Sequence, residues 1–322
     1  MVSCISDHER LPVIKGVSYF LSHVPSLVRH GSKPSREIQK DSALLKQILE
    51  HLWSFEQAVA YPPNQVFIGN MEPEDLEKVS GPWYKAHLAN SSRQGATGAL
   101  MPEDEFYGFM KLCDQFDLFH LEKGFLKTVA SKLQDHPLFD QQDFEKLKGD
   151  VSQEQVESKL RQGHAIPIHV RGDQLVGYLQ QGHEEDFNLT PEILLENLSS
   201  KASGVLALRH LVRQMGDAQE VEYLLGCGEE AVGDRYIRGG GNMAKAIGEL
   251  SACSRATGSD VKAFCCAPVH ALVLAAGLIA SGIFKNVAVV AGGSLPKLGM
   301  KFQGHLRSDM PILEDVLASI AI

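Results

Sequence analysis

From residue 190 onward the chain alternates short apolar runs with helical stretches, and this alternation constrains the fold more than any other feature. The runs "EVEYLLGCG" (220–228), "DVKAFC" (260–265) and "KNVAVVAGG" (285–293) lack the regular polar alternation of a half-exposed strand. Between them lie "NMAKAIGELSACSRATG" (242–258) and "APVHALVLAAGLIASG" (267–282), which read as helices. Strands buried on both faces and separated by crossover helices form parallel sheets. Ahead of them, "TPEILLENLSSKASGVLALRHLVRQMG" (190–216) opens on a threonine cap with proline at the first helical position and stops at glycine, which predicts one long helix. Residues 190–322 are therefore expected to form an α/β parallel-sheet half, with the helix at about 267–282 buried and a strand ending at Cys265.

The first 189 residues read instead as a mainly helical region that contacts partners and carries no catalytic group. "REIQKDSALLKQILEHLWSFEQAVA" (36–60) places Leu44, Leu45, Ile48, Leu49, Leu52 and Phe55 at the spacing of one amphipathic helix. Residues 103–133 predict one or two more, started by Pro102 and Glu103. "AIPIHVRGDQLVGYL" (165–179) alternates apolar and polar residues on both sides of Arg171-Gly172-Asp173, which predicts a β-hairpin with that tripeptide as its turn.

Several function classes are disfavoured by composition. The net charge is −9 and no basic stripe occurs, so the chain lacks the phosphate-neutralising face that a nucleic acid requires. The longest apolar run, near 271–280, is shorter than the ~18 residues that span a bilayer, and no secretory leader is evident, so a cytoplasmic location is expected. Six cysteines in 322 residues make no disulfide framework and fit no CxxC zinc spacing. No metal and no bound cofactor are expected.

One cysteine is placed for chemistry. In parallel sheets, reactive groups collect beyond the carboxyl ends of strands. Cys265 falls there, just before a helix whose positive end and unpaired N–H groups favour a thiolate. The same position suits a small buried hydrophobe, as free cysteines commonly are, and the residues alone leave both readings open. His270, five residues on, reads as packed.

The stretch "DVKAFCCAPVHALVLAAGLIASGIFKNVAVVAGGS" resembles the nucleophile segment of the thiolase superfamily, particularly ketoacyl synthase III, with the nucleophile falling on Cys265. Cys266 departs from that pattern, where a residue such as alanine is usual. The segments "YPPNQVFIGNMEPEDL", "LMPEDEFYGFMKLCDQFDLFHLEK", "CGEEAVGDRYIRGGGNMAKAIGE" and "LGMKFQGHLRSDMPILEDVL" are similar to the β subunits of component C of glycine, sarcosine and betaine reductase complexes. That likeness covers nearly the whole chain. It implies a thiolase-like half, an acetyl thioester on Cys265 drawn from a carboxymethyl group on selenoprotein A, and release by phosphate as acetyl phosphate. It further implies an α subunit of component C as partner, phosphate as co-substrate, and a second half supplied by a longer subunit or by another chain; the longer subunit is expected, because an apolar strand stopping at "ASIAI" would leave an unprotected sheet edge.

Two further segments bear on that chemistry. "GEEAVGD" follows the 220–228 strand, and the hydroxymethylglutaryl-CoA synthase branch of the superfamily points to Glu230, less firmly to Glu229, as an acid/base beside the thiol, with Asp234 on the same loop. A solvated loop explains these residues equally. In "RGGGN", Arg238, Gly239, Gly240, Gly241 and Asn242 precede a helix and form a weak phosphate-binding candidate, with a tight turn as the alternative. Two other functions stay open at this point: a stand-alone acyltransferase of the ketoacyl synthase type and a non-catalytic interaction subunit.

Overall fold

A computed structural model describes residues 11–147, 151–183, 189–228 and 242–322. Six strands make the principal sheet: β1 (Ser18–His23), β2 (Gly98–Met101), β6 (Tyr223–Gly226), β7 (Thr257–Asp260), β8 (Val287–Ala291) and β9 (Val316–Ala321). Their order is β2-β1-β9-β8-β6-β7. β1 runs parallel to β2, β6 runs parallel to both β7 and β8, and β9 is antiparallel to its neighbours β1 and β8. Since β9 reverses twice, five of the six strands point the same way, and their carboxyl ends share one edge of the sheet.

The sheet draws strands from both sides of residue 190. β1 and β2 belong to the stretch that reads as helical, and the reason they escape a sequence reading is length: six and four residues leave too little periodicity to register. β9 corrects a second expectation. The "ASIAI" strand is not an exposed sheet edge, because it is paired along β1 from Ser18↔Ala321 to His23↔Val316 and joins β8 through Val290↔Ala321.

The long helix Pro191–Met215 forms as its caps predict, from Thr190 to Gly216 with φ +97°. It lies against β1, β8 and β9, burying Leu195, Ala202, Val205, Leu206 and Leu208 completely in the main core. Small residues set its distance from the sheet: a Cβ on Gly292 would sit 1.9 Å from the Ser200 carbonyl oxygen. Elsewhere in the first half, residues 36–60 form parts of three helices, Ser32–Lys40, Ala43–Glu50 and Phe55–Ala60, rather than one. Ser54 starts the last of them with a capping box to Gln57, so the chain changes direction within an otherwise continuous apolar pattern.

Residues 103–133 give two helices, Glu103–Cys113 and Lys123–Leu133, around β3 (Phe119–Leu121). The hairpin forms as read, between β4 (Ala165–Val170) and β5 (Gln174–Gln180), and makes a second sheet of order β3-β5-β4. Arg171 and Gly172 close it, both with positive φ, +53° and +83°.

Candidate functional site

The link between β7 and the cysteine is longer than the sequence suggests. β7 ends at Asp260, and Val261 extends its contact by donating to the Gly226 carbonyl at 2.7 Å. Phe264–Cys266 then form a single 3₁₀ turn that runs into the helix Ala267–Ala280. Cys265 therefore sits in a strand-to-helix turn and not on the last residue of a strand. Phe264 holds φ +50°, a left-handed conformation that bulky residues rarely adopt, immediately before the thiol. Cys265 and Cys266 are both exposed and not disulfide-bonded.

The helix start beside Cys265 has Cys266 at its cap with no side-chain cap hydrogen bond, and Pro268 has no N–H to offer. The Ala267 N–H is taken by the Phe264 carbonyl, so what the helix offers the adjacent thiols is the positive end of its dipole. The three other described thiols are in a different state. Cys113 is buried and pushed up to about 12, and burial raises Cys227 and Cys253 to about 11. Those groups stay protonated near neutrality and serve as packing.

The Ala267–Ala280 helix is not buried as its all-round apolar sequence suggests. Ala267, Ala271 and Ala275 form a narrow seam against β8 and β6, while Val269 is 63%, Val273 65% and Leu274 49% exposed. Alanines at every fourth position let the helix sit close to the sheet, with Leu272 and Leu278 partly buried beside them, and leave Val269, Val273 and Leu274 on the opposite face. His270 is on that outer side, exposed rather than packed.

Asp260 organises the neighbouring helix start. Its carboxylate accepts from the Met243 N–H at 2.8 Å and the Ala244 N–H at 3.0 Å, while the Asn242 side chain accepts from the Lys245 N–H at 2.8 Å and donates to the Gly258 carbonyl at 2.6 Å. The first-turn donors of the helix Met243–Leu250 are therefore taken by the protein's own oxygens. Asn242 is a cap in this arrangement, and the helix start has no free N–H with which to hold phosphate. Gly226 is required beside it, since a Cβ there would lie 2.2 Å from Asp260 Oδ1. Glu229, Glu230, Asp234, Arg238, Gly239, Gly240 and Gly241 lie outside the described residues.

At the carboxyl ends of β6, β7 and β8 there is a narrow cleft of about 30 Å³, lined by Glu196, Ser200, Asp260, Lys262, Gly292 and Ser294 among others. Cys265 is not part of its lining. Sequence reasoning singled out none of these residues for the site. Asp260 was legible only as the start of an apolar run, because its partners are backbone groups sixteen and seventeen residues earlier. Further along the same sheet edge, His23 and Asp315 form a buried pair at 3.0 Å. Among the described residues no group of three or more histidine, cysteine, aspartate or glutamate side chains is arranged to hold a metal ion, and no helix is long and apolar enough to cross a membrane.

No family model matches the chain. Among solved structures, an acetyl-CoA acetyltransferase from Syntrophomonas wolfei overlaps with a TM-score of 0.28 at 20% identity, covering 32% of this chain and 25% of that one. The priming β-ketosynthase of the R1128 polyketide pathway overlaps with a TM-score of 0.28 at 20% identity, covering 45% and 37%. Among curated proteins, the component C subunit beta of the glycine/sarcosine/betaine reductase complex of Peptoclostridium acidaminophilum is 43% identical over 317 residues. The match takes in 97% of this chain and 61% of that protein, so the chain spans about three fifths of its relative's length. Over those residues the chain is similar in sequence to the component C subunit beta of the glycine/sarcosine/betaine reductase complex.

Proposed function

We propose that this chain is the acetyl-accepting part of such a reductase complex and that Cys265 carries the acetyl group. The observation that supports this most directly is the exposed thiol on a strained turn, at a helix start that no side chain caps. The helix end favours the thiolate over the thiol. The chemical context is part of the proposal: a two-carbon unit held as a carboxymethyl group on selenoprotein A becomes an acetyl thioester on this chain, with an α subunit as further partner and phosphate as the second substrate.

In the release step a phosphate oxygen attacks the thioester carbonyl, the carbon–sulfur bond breaks, and the electron pair returns to Cys265 as thiolate. The product is acetyl phosphate. No cofactor enters this step, because phosphate is the nucleophile and the Cys265 thiolate is the leaving group. Glu230 is proposed as the acid/base near the thiol. The phosphate would be held by groups other than the Met243–Leu250 helix start, whose donors are occupied. The reading places the complex in the cytoplasm.

The test uses the assembled reductase complex. Cys265→Ala should abolish acetyl phosphate formation, and Cys266→Ala should leave most of it, since alanine is no larger than the residue it replaces. Trapping the acetylated chain and locating the label by peptide mass should place it on Cys265. A label on Cys266, or full activity without Cys265, rejects the assignment.

A further inference from the structure

The outer face of the Ala267–Ala280 helix is apolar and uncovered. Among the described residues, five of the twelve large hydrophobic side chains that stand exposed fall between residues 264 and 283: Phe264 at 70%, Val269 at 63%, Val273 at 65%, Leu274 at 49% and Ile283 at 65%. Exposed apolar side chains scattered singly need no explanation, but a concentration of them marks a contact with protein. The helix itself has no Asp, Glu, Lys or Arg whose charge would oppose burial.

The spacing along that face determines what fits it. At 3.6 residues per turn, Val269 lies about 40° to one side of Val273 and about 6 Å toward the helix start, while Gly277 lies about 40° to the other side and about 6 Å toward the helix end. Gly277 has nothing within 4 Å of the place where a Cβ would stand, so it leaves an open notch in the surface. A two-fold axis at Val273 that reverses the helix direction brings Val269 of each copy level with Gly277 of the other. The ends match as well, since Phe264 is nine residues before Val273 and Ile283 is ten after it. A parallel pair would set Val269 against Val269 and Gly277 against Gly277, leaving the notch unfilled, and would bring the positive ends of two helix dipoles together.

We propose that this face docks a second copy of the same chain, as an antiparallel helix pair centred on Val273 in which Val269 of each copy packs over the Gly277 notch of the other. The same patch serves both copies, as a two-fold contact requires. One helix face offers less than the roughly 800 Å² per partner of a standard interface, so the pair is weak, with a dissociation constant on the order of 10–100 µM. Below that concentration Val273 is an ordinary surface residue. Each copy carries a net charge of −9, so repulsion opposes the pair and added salt favours it. Phe264 directly precedes Cys265, so pairing also brings the Ile283 end of the second copy beside the turn that carries the thiol.

Sedimentation velocity of the intact chain tests the pair. Wild type should run as a monomer at about 1 µM and largely as a dimer at about 300 µM, with a dissociation constant that falls about threefold between about 0.05 and 0.5 M sodium chloride. Val273→Glu should raise that constant at least about thirtyfold, the cost of burying an unpaired charge. Gly277→Leu should raise it about tenfold without lowering the thermal stability of the monomer at about 1 µM, because leucine is the better helix former and its Cβ meets nothing within 4 Å. Phe116→Glu, on an exposed turn elsewhere, should leave it unchanged. A chain carrying both Val269→Cys and Gly277→Cys should, on oxidation by a disulfide reagent, cross-link position 269 of one copy to position 277 of the other, since the two are about 12 Å apart along a single helix and too far for a bridge within it. A wild-type monomer at about 300 µM overturns the proposal, as does a dimer whose affinity Val273→Glu leaves unchanged or a cross-link from position 269 to position 269.

Discussion

At the scale of single residues, the described cysteines divide by environment. Cys265 and Cys266 are exposed at a helix start, whereas Cys113, Cys227 and Cys253 are buried and shifted up to about 11 or 12. Iodoacetamide near pH 7.5 should therefore modify Cys265 at least about tenfold faster than the three buried thiols, as read by timed peptide mass analysis, because the thiolate is the reacting species. Equal rates would remove the distinction on which the acetyl-carrier reading rests. Asp260 gives a second prediction at this scale. Asp260→Ala uncaps the Met243–Leu250 helix and should cost about 1–2 kcal/mol in chemical denaturation, the usual worth of an N-terminal cap. The position of Cys265 just ahead of a helix was legible in the sequence because its signal is local: an apolar run, a thiol, then a proline-marked helix. Asp260 was not, since a capping partner supplied by a later strand has no signature in either segment alone.

At the scale of elements, the sequence announces how apolar a helix is but not which side of it is covered. The Ala267–Ala280 stretch has no charged residue, and such a pattern ordinarily marks a helix surrounded by protein. Its alanine seam, flanked by the partly buried Leu272 and Leu278, meets the sheet, while Val269, Val273 and Leu274 face outward. Val273→Ser should consequently change the stability of this chain by no more than about 0.5 kcal/mol, as surface substitutions do. On the covered face, Ala271→Leu should cost about 1–3 kcal/mol by overpacking against the sheet. Urea denaturation of the two variants decides the matter, and a larger loss from Val273→Ser than from Ala271→Leu would mean that the face assignment is inverted. The elements with paired end signals were the most legible ones. The long helix has Thr190, Pro191 and Gly216, and the hairpin has Arg171-Gly172. The 36–60 stretch failed because Ser54 caps a new helix inside an uninterrupted apolar rhythm.

At the scale of the whole molecule, the sheet binds the two ends of the chain together, since β1 and β9 pair residue for residue over six positions. Long-range pairing of this kind cannot be read from local pattern, which is why the N-terminal strands were missed while β6 and β8 were not. Buried titratable groups are spread over the same framework, and their shifts oppose one another. His30 is lowered to about 3, and His136 and His169 to about 4, in each case chiefly by burial, whereas burial raises Glu103 to about 7. Between pH 4.5 and 6.5 the unfolded chain protonates all three histidines while the folded one keeps them neutral, so unfolding takes up about three protons there. Glu103 works against this, being protonated when folded and ionised when unfolded, and releases about one. The balance is an uptake of about two protons, so stability should fall as pH drops from 6.5 to 4.5. The contribution of Glu103 alone has the opposite sign, full below about 4.5 and lost as pH rises through 7. Denaturation free energies measured at half-unit steps should therefore rise steeply with pH across this window, and Glu103→Gln, which removes the opposing term, should steepen the rise by about one proton. A flat profile, or one that declines from pH 4.5 to 6.5, would show that the histidines are not held neutral by the fold.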